Sequence, residues 1–377
     1  MPKKHTAAIS QAPAALGYRM PAEWEPHEAT WMGWPHNRSD WPGKFEAIPW
    51  IYAEIVRHLA RVERVNILVN DEAAEAKARQ VLVRSHVLPD RAIEPGTRAG
   101  NIRFWQMPTD RGWLRDSGPI LVKRDSRKGE APSLAATAWR FNAWAKYSNW
   151  HLDALSGLEI AKRLRVPVWQ PELRVNSEPH RIVLEGGSID VNGCGTLITT
   201  EECLLSDVQP RNPGLGREHM EEVFADYFGI EKVIWLERGI AGDDTHGHVD
   251  DITRFVAPRT VVTAYEPDPS DENHEPLSEN FRWLKKSTDQ SGQPLKVIKL
   301  PMPRPIYFRG QRLPASYANF YVANRVVLVP NFGDPNDRVA LNVLAGVFPD
   351  REVVPIYCRD FIWGLGAVHC MTQQQPG

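Results

Sequence analysis

Apolar residues recur at near-helical spacing over residues 48–61, and this predicts the first helix of the chain. A short apolar run at 65–69 predicts a buried strand, residues 71–83 a second helix, and 101–107 another strand. Upstream, residues 20–35 hold too many prolines for a helix and read as strand plus loop. Strands follow at 120–123 and 135–141, then a helix at 151–164. From residue 181 the pattern becomes periodic. Strands at 181–191 and 195–200 flank the turn signal Asn192-Gly193, and a helix at 217–228 and a strand at 232–236 come next. The same order returns as strands at 251–256 and 260–264, helix 277–287 and strand 295–300. It returns once more as strands at 316–322 and 325–330, helix 337–348 and strand 353–357.

Hairpin, helix and strand thus repeat at a spacing of roughly 60–70 residues, which leaves room for about five units in all. Units that each leave one sheet face unburied usually close around an axis. No low-complexity linker divides the chain. The expectation is one closed α/β domain over residues 19–377, preceded by a flexible arm over residues 1–18.

Composition narrows the function classes. Hydrophobic residues make up 42% of the chain and charged residues 24%, as in ordinary globular proteins. A formal net charge of −2 with no long Lys/Arg run argues against a nucleic-acid partner. No apolar run reaches the 18 residues of a membrane span, so the expected location is the cytoplasm with no membrane partner. A homo-oligomer is left open. Four cysteines without a CxxC pair (Cys194, Cys203, Cys358 and Cys370) fit neither a disulfide scaffold nor a cysteine-rich zinc site. Ten of the fourteen tryptophans precede residue 151. Most would pack the core, and a few could line a pocket for a cation.

Candidate chemistry gathers in four segments, each beside a glycine that lets another segment or a ligand approach. The densest is 242–251, with four carboxylates and two histidines in ten residues. Its His246-Gly247-His248-Val249-Asp250 resembles the start of a metallo-β-lactamase zinc motif. Asp251 stands where that motif continues with histidine, however, and only His274 and His369 follow. A metal-dependent hydrolase is therefore the lesser alternative. A histidine beside a carboxylate suits general acid/base work, with His248 and Asp250 two apart on one strand face as the working pair. Asp243, Asp244, His246 and Asp251 read as turn, cap or supporting residues. Arg115-Asp116 is either a surface ion pair or a buried one, because Ser117-Gly118-Pro119 turns straight into an apolar strand. Glu185, expected mid-hairpin before two glycines, is either an edge carboxylate or an interior group paired with a base. Cys194, Cys203 and Cys358 read as structural. Cys370, behind a glycine-rich approach and His369, has the setting of a presented nucleophile.

Trp113-Leu114-Arg115-Asp116-Ser117-Gly118-Pro119, Glu185-Gly186-Gly187, Gly247-His248-Val249-Asp250 and His369-Cys370-Met371-Thr372-Gln373-Gln374 resemble, in that order, the motifs of the agmatine deiminases. These form part of the bacterial-type peptidyl-arginine deiminase family of guanidine-modifying enzymes. The resemblance spans nearly the whole chain. It implies a five-fold pseudo-symmetric α/β propeller, in keeping with the repeats. It also implies that Cys370 attacks the guanidinium carbon and that His248, oriented by Glu185, protonates the departing ammonia and then activates water. Asp116 and Asp250 would grip the guanidinium, with Trp113 also binding substrate. Agmatine would give N-carbamoylputrescine and ammonia through a thiouronium intermediate, a step in polyamine biosynthesis, with no metal or organic cofactor. Two departures bear on substrate choice. Arg111-Gly112 stands where the family commonly has Asp-Ala, which puts a base at the rim of the expected pocket and would suit a carboxylate. Leu365 and Ala367 replace a glycine and an asparagine in the loop before Cys370. The alternative substrate is therefore free or peptidyl arginine, or another guanidino acid.

Overall fold

Five separate sheets of three or four strands carry the fold, with two small hairpins beside them, in a computed structural model that describes residues 11–96, 99–125, 133–175 and 177–377. The architecture is mixed α/β, and among the described residues no sheet closes on itself. Four sheets share one plan: two antiparallel strands, a helix, and a third strand parallel to the second. They are Ile120–Arg124, Ser133–Thr137 and Val168–Trp169; Asp190–Val191, Thr196–Thr200 and Lys232–Leu236; Thr253–Ala257, Thr260–Tyr265 and Lys296–Pro301; and Tyr321–Val322, Val326–Asn331 and Glu352–Tyr357. The remaining sheet follows that plan across the chain ends. Strand Thr372–Pro376 runs antiparallel to His27–Gly33, which is parallel to Arg64–Val69 and, beyond it, Ile102–Gln106.

The helices form where the apolar period required them. Ile48–Leu59 has proline in its first turn and buries Ile48, Tyr52, Ile55, Val56 and Leu59 along one face. Asp71 caps Glu72–Arg84 by accepting from the Ala74 amide. Arg217–Phe228 ends at Gly229, whose φ of 70° no β-carbon opposes. Neighbouring sheets share apolar cores. One core joins Ile120, Val122 and Trp169 to Leu197 and Trp235, and another joins Ile198 and Leu236 to Phe255 and Val261. The largest joins Ile67 of the chain-end sheet to Leu328 and Ile356 of the last sheet.

Three expectations need correction. Residues 181–191 do not form one strand: Glu178–Arg181 ends early, a 3-10 turn occupies Gly186–Ser188, and only Asp190–Val191 pairs with Thr196–Thr200. The turn beyond is longer than two residues, because the Asn192 side chain accepts the amides of both Cys194 and Thr196. Second, His248 and Asp250 are not on a strand. Val249–Asp251 is a 3-10 turn, and the strand starts at Thr253. Third, part of the expected arm is docked. Tyr18 is buried edge-on against Trp169, whose indole donates to the Gln11 carbonyl, while residues 1–10 lie outside the described residues. No helix among the described residues is long and apolar enough to cross a membrane.

Candidate active site

Each of the five sheets is entered through a short irregular segment, and these segments meet. Asp116 sits in the single helical turn Leu114–Ser117 before the first strand of its sheet. Glu185 precedes the turn Gly186–Ser188, and His248 opens the turn Val249–Asp251. Asn319 lies just before Tyr321–Val322, and Cys370 just before Thr372–Pro376. Gly187 shows how tightly they converge. A β-carbon there would stand 2.6 Å from His248 Nδ1, 2.8 Å from Asp116 Oδ1 and 3.1 Å from Asp250 Oδ2. All six residues expected at the site (Trp113, Asp116, Glu185, His248, Asp250 and Cys370) are buried here.

Cys370 is 6% exposed, with its Sγ 3.8 Å from Asp250 Oδ2. Asn319 Nδ2 donates to that sulfur at 3.1 Å and to Asp251 Oδ1 at 3.0 Å, while its Oδ1 accepts the His369 amide. One side chain thus fixes both the thiol and the backbone that presents it. Burial, then the charges of Asp250, Asp251 and Asp116, push the thiol well above its usual range. The sequence reading passed over Asn319. The signal was the repeat itself, because Asn319 holds the place in its unit that Asp250 and Cys370 hold in theirs.

The carboxylates differ in environment. Asp116 accepts from the Trp144 indole at 2.9 Å and from the Gly187 amide at 3.0 Å. Burial, helped by Asp250 and Glu185, raises it to about 6 against the pull of His248. Burial would raise Glu185 as well, yet Arg211 at 3.1 Å and His248 outweigh it and hold Glu185 at about 2. Arg211, also missed from sequence, is the fixed counter-charge of this corner. Asp250 gives Oδ2 to His369 Nδ1 at 2.7 Å, and His369 Nε2 lies 2.7 Å from Glu23. Asp250 is lowered despite burial, chiefly by His369, and its Oδ1 has no hydrogen-bond partner among the described residues. His248 lies between two of these carboxylates, with Nδ1 3.9 Å from Asp116 and Nε2 3.6 Å from Glu185. Burial opposes its charge, but Asp116, the Cys203 thiol and Glu185 raise it well above the ordinary imidazole range. Both shifts favour the protonated forms, of the His248 imidazole and of the Cys370 thiol, amid buried carboxylates.

Cys370 and Asp116 open onto a cavity of about 340 Å³ walled by Trp113, Trp144 and Trp363. The size suits a small molecule rather than a protein chain. Arg111 does line the cavity, but it does not present a free cation. It is salt-bridged to buried Asp40, bonded to Asn149 at 3.0 Å, and lies over the Tyr147 ring. The carboxylate it suits is supplied by the chain. Asp244 also reaches the wall, where it accepts from Tyr147 and faces Lys146 at 3.7 Å. Of the departures near the nucleophile, Leu365 sits in a left-handed conformation with φ 65°. The crowded positions keep glycine. A β-carbon at Gly366 would come within 2.8 Å of the Trp113 ring and 3.3 Å of the Cys370 sulfur.

Among the described residues one group has metal-ligand spacing, formed by Glu185, Cys203 and His248. It is not the H-x-H-x-D set read from sequence, because His246 pairs with Ser206 and Glu202 instead.

The profile of the Porphyromonas-type peptidyl-arginine deiminases matches residues 19–376. The agmatine deiminase of Medicago truncatula is 35% identical, covering 98% of this chain and 99% of that protein. That of Pseudomonas aeruginosa is 36% identical, over 97% and 98%. The solved agmatine deiminase of Enterococcus faecalis superposes with a TM-score of 0.83 at 32% identity, covering 98% of each chain. A cysteine-to-serine variant of the C. jejuni agmatine deiminase with substrate bound gives 0.79 at 27% identity, over 96% of each.

Proposed function

Because the chain belongs to the Porphyromonas-type peptidyl-arginine deiminase family, we propose that it hydrolyses agmatine to N-carbamoylputrescine and ammonia through a covalent intermediate on Cys370. The observation that carries this reading is the meeting of His248, Asp116 and Asp250 at Gly187, with the Cys370 sulfur 3.8 Å from Asp250 and Glu185 3.6 Å from His248, beside a small tryptophan-walled cavity.

The residues divide the work by environment. Asp116 and Asp250 receive the guanidinium through charge-assisted hydrogen bonds, Asp250 with its unpartnered Oδ1. The incoming cation cancels the charges that keep the Cys370 thiol protonated, so the thiolate forms when substrate arrives and its proton leaves. Sulfur attacks the guanidinium carbon. His248, already protonated, gives its proton to one amino group, which departs as ammonia and leaves a thiouronium on Cys370. Water then attacks that carbon as His248 takes a proton back, the thiolate is released, and the ureido product forms. Glu185, kept ionised by Arg211, orients the imidazole. Trp113 and Trp144 flank the flat cation. The five sheets act as blades around one axis. The shared strand plan supports this, as do the cores between neighbours and the pairing of the last strand with the first. Four free thiols suit a cytoplasmic enzyme.

Agmatine is favoured over an amino acid because Arg111 is already neutralised by Asp40 and so offers no free cation to a substrate carboxylate. The test is a product assay on agmatine, arginine and a peptide ending in arginine. Ureido product and ammonia from agmatine, abolished in Cys370→Ser, are expected. Turnover of arginine in preference to agmatine would overturn the substrate assignment, and full activity in Cys370→Ser would overturn the chemistry.

A further inference from the structure

On the side of His248 that faces Glu185 lies a thiol that makes and breaks no bond in the deimination. Cys203 belongs to the short helix Glu201–Leu205, and its thiol points into the same buried corner as Glu185 and His248. One ligand atom from each residue lies within 4.8 Å of the other two, and all three residues are at most 1% exposed. His248 Nε2 and Glu185 Oε2 stand 3.6 Å apart. Neither atom makes a hydrogen bond with a described residue, and the two face each other only as a long ion pair, although buried polar atoms in folded proteins are nearly always hydrogen-bonded. The other Glu185 oxygen is held by Arg211, so the unpartnered one is fixed in place.

Sulfur, imidazole nitrogen and carboxylate oxygen are the three donors zinc prefers. Bond lengths of about 2.0–2.3 Å put tetrahedral ligand atoms about 3.3–3.7 Å apart. The observed separation of nitrogen and oxygen falls in that range. We propose that Glu185, Cys203 and His248 form an inhibitory zinc site, occupied reversibly and distinct from any metal requirement of the reaction. On binding, the Sγ–H bond breaks and a sulfur–zinc bond forms. The proton on Nε2 is displaced as well, both protons leave to solvent, and no electron moves. Three protein donors leave the fourth position for water. The bound metal takes the nitrogen lone pair and pins the ring, so His248 can no longer exchange protons with substrate. That consequence rests on the role of His248 proposed above, whereas the binding itself does not.

The test uses the full chain with cobalt(II) as a visible probe and zinc(II) as inhibitor. Cys370→Ala, which removes the other buried thiol near the cavity, is expected to bind one cobalt ion with a sulfur-to-metal charge-transfer band and tetrahedral visible bands. Cys203→Ser and Cys203→Ala are expected to lose those bands and, in the activity they retain on agmatine, to need at least tenfold more zinc for half-inhibition. A chelator should restore activity to zinc-treated wild type. Absence of the charge-transfer band in Cys370→Ala overturns the site whatever the Cys203 variants do. Unchanged zinc sensitivity in a folded Cys203 variant overturns it equally. If the bands appear but zinc leaves turnover untouched, the site stands as a binding site, and the proposed role of His248 fails with the inhibition.

Discussion

Asp116 carries the clearest pH signature of any single residue here. Its carboxyl is raised to about 6 by burial, helped by Asp250 and Glu185, and its proposed role of receiving a guanidinium requires it ionised. The free-enzyme profile of kcat/KM should therefore fall on the acid side with a midpoint near that value, measured with agmatine over the acid range. A raised carboxyl also means that the folded state holds its proton more tightly than the unfolded chain does. Its favourable contribution is complete below about 3.8 and is lost as pH rises through about 6. Asp116→Asn should thus gain stability relative to wild type as pH rises across that window, followed by thermal melts, while losing nearly all activity. Arg111 gives a second residue-level prediction. Removing it takes away a cation of the cavity wall and leaves there Asp40, a carboxyl that burial raises to about 6 even beside Arg111. Arg111→Ala should shift the ratio of kcat/KM for agmatine over arginine toward agmatine by roughly tenfold, about 1.4 kcal/mol. A ratio cancels losses of folded enzyme, and an unchanged one would mean that Arg111 does not sense the substrate tail.

At the level of elements, the short turns before each first strand do the positioning, and Gly186–Ser188 is the most constrained of them. Its middle residue has no room for a side chain, because a β-carbon would displace His248, Asp116 and Asp250 together. Gly187→Ala should cut kcat/KM by about a hundredfold or more, the scale expected when reacting groups move by about 1 Å. Gly216→Ala, with nothing within 4 Å, should behave as wild type. These turns also mark the limit of what the sequence made legible. Helices such as Arg217–Phe228 and parallel strands such as Lys232–Leu236 came through because their apolar period follows local geometry. The break after Arg181 and the turn at Val249–Asp251 did not, since nothing local distinguishes them from strand. The motif residues were legible by resemblance. Asn319, Arg211, His369 and Glu23 act through partners more than 25 positions away, and no local pattern announces such a partner.

Across the whole molecule, one buried ionic network ties the units together. Arg254 pairs with Asp190 at 2.6 Å and Glu23 at 3.0 Å and donates to the carbonyls of Ala318 and Phe320. Glu23 in turn meets Arg115 and His369. Two sheets, the segments that lead into others and the nucleophile loop thus share one charge cluster, and its last link, through His369, ends at Asp250, the carboxylate proposed to grip the guanidinium. Arg254→Met leaves Asp190 without a cation and takes one of its partners from Glu23, and should cost about 3–5 kcal/mol, read from the denaturant midpoint. A loss below 1 kcal/mol would place the cohesion in the apolar cores instead. The central claim, that this arrangement makes Cys370 a covalent catalyst of agmatine deimination, is tested most directly by trapping the intermediate. Wild-type protein mixed with agmatine and quenched in acid within one turnover is analysed by intact mass and peptide mapping. The expected result is a mass gain equal to agmatine less ammonia, located on Cys370 and missing from Cys370→Ser. Ureido product formed at full rate with no adduct on Cys370, or an adduct on another residue, would contradict it.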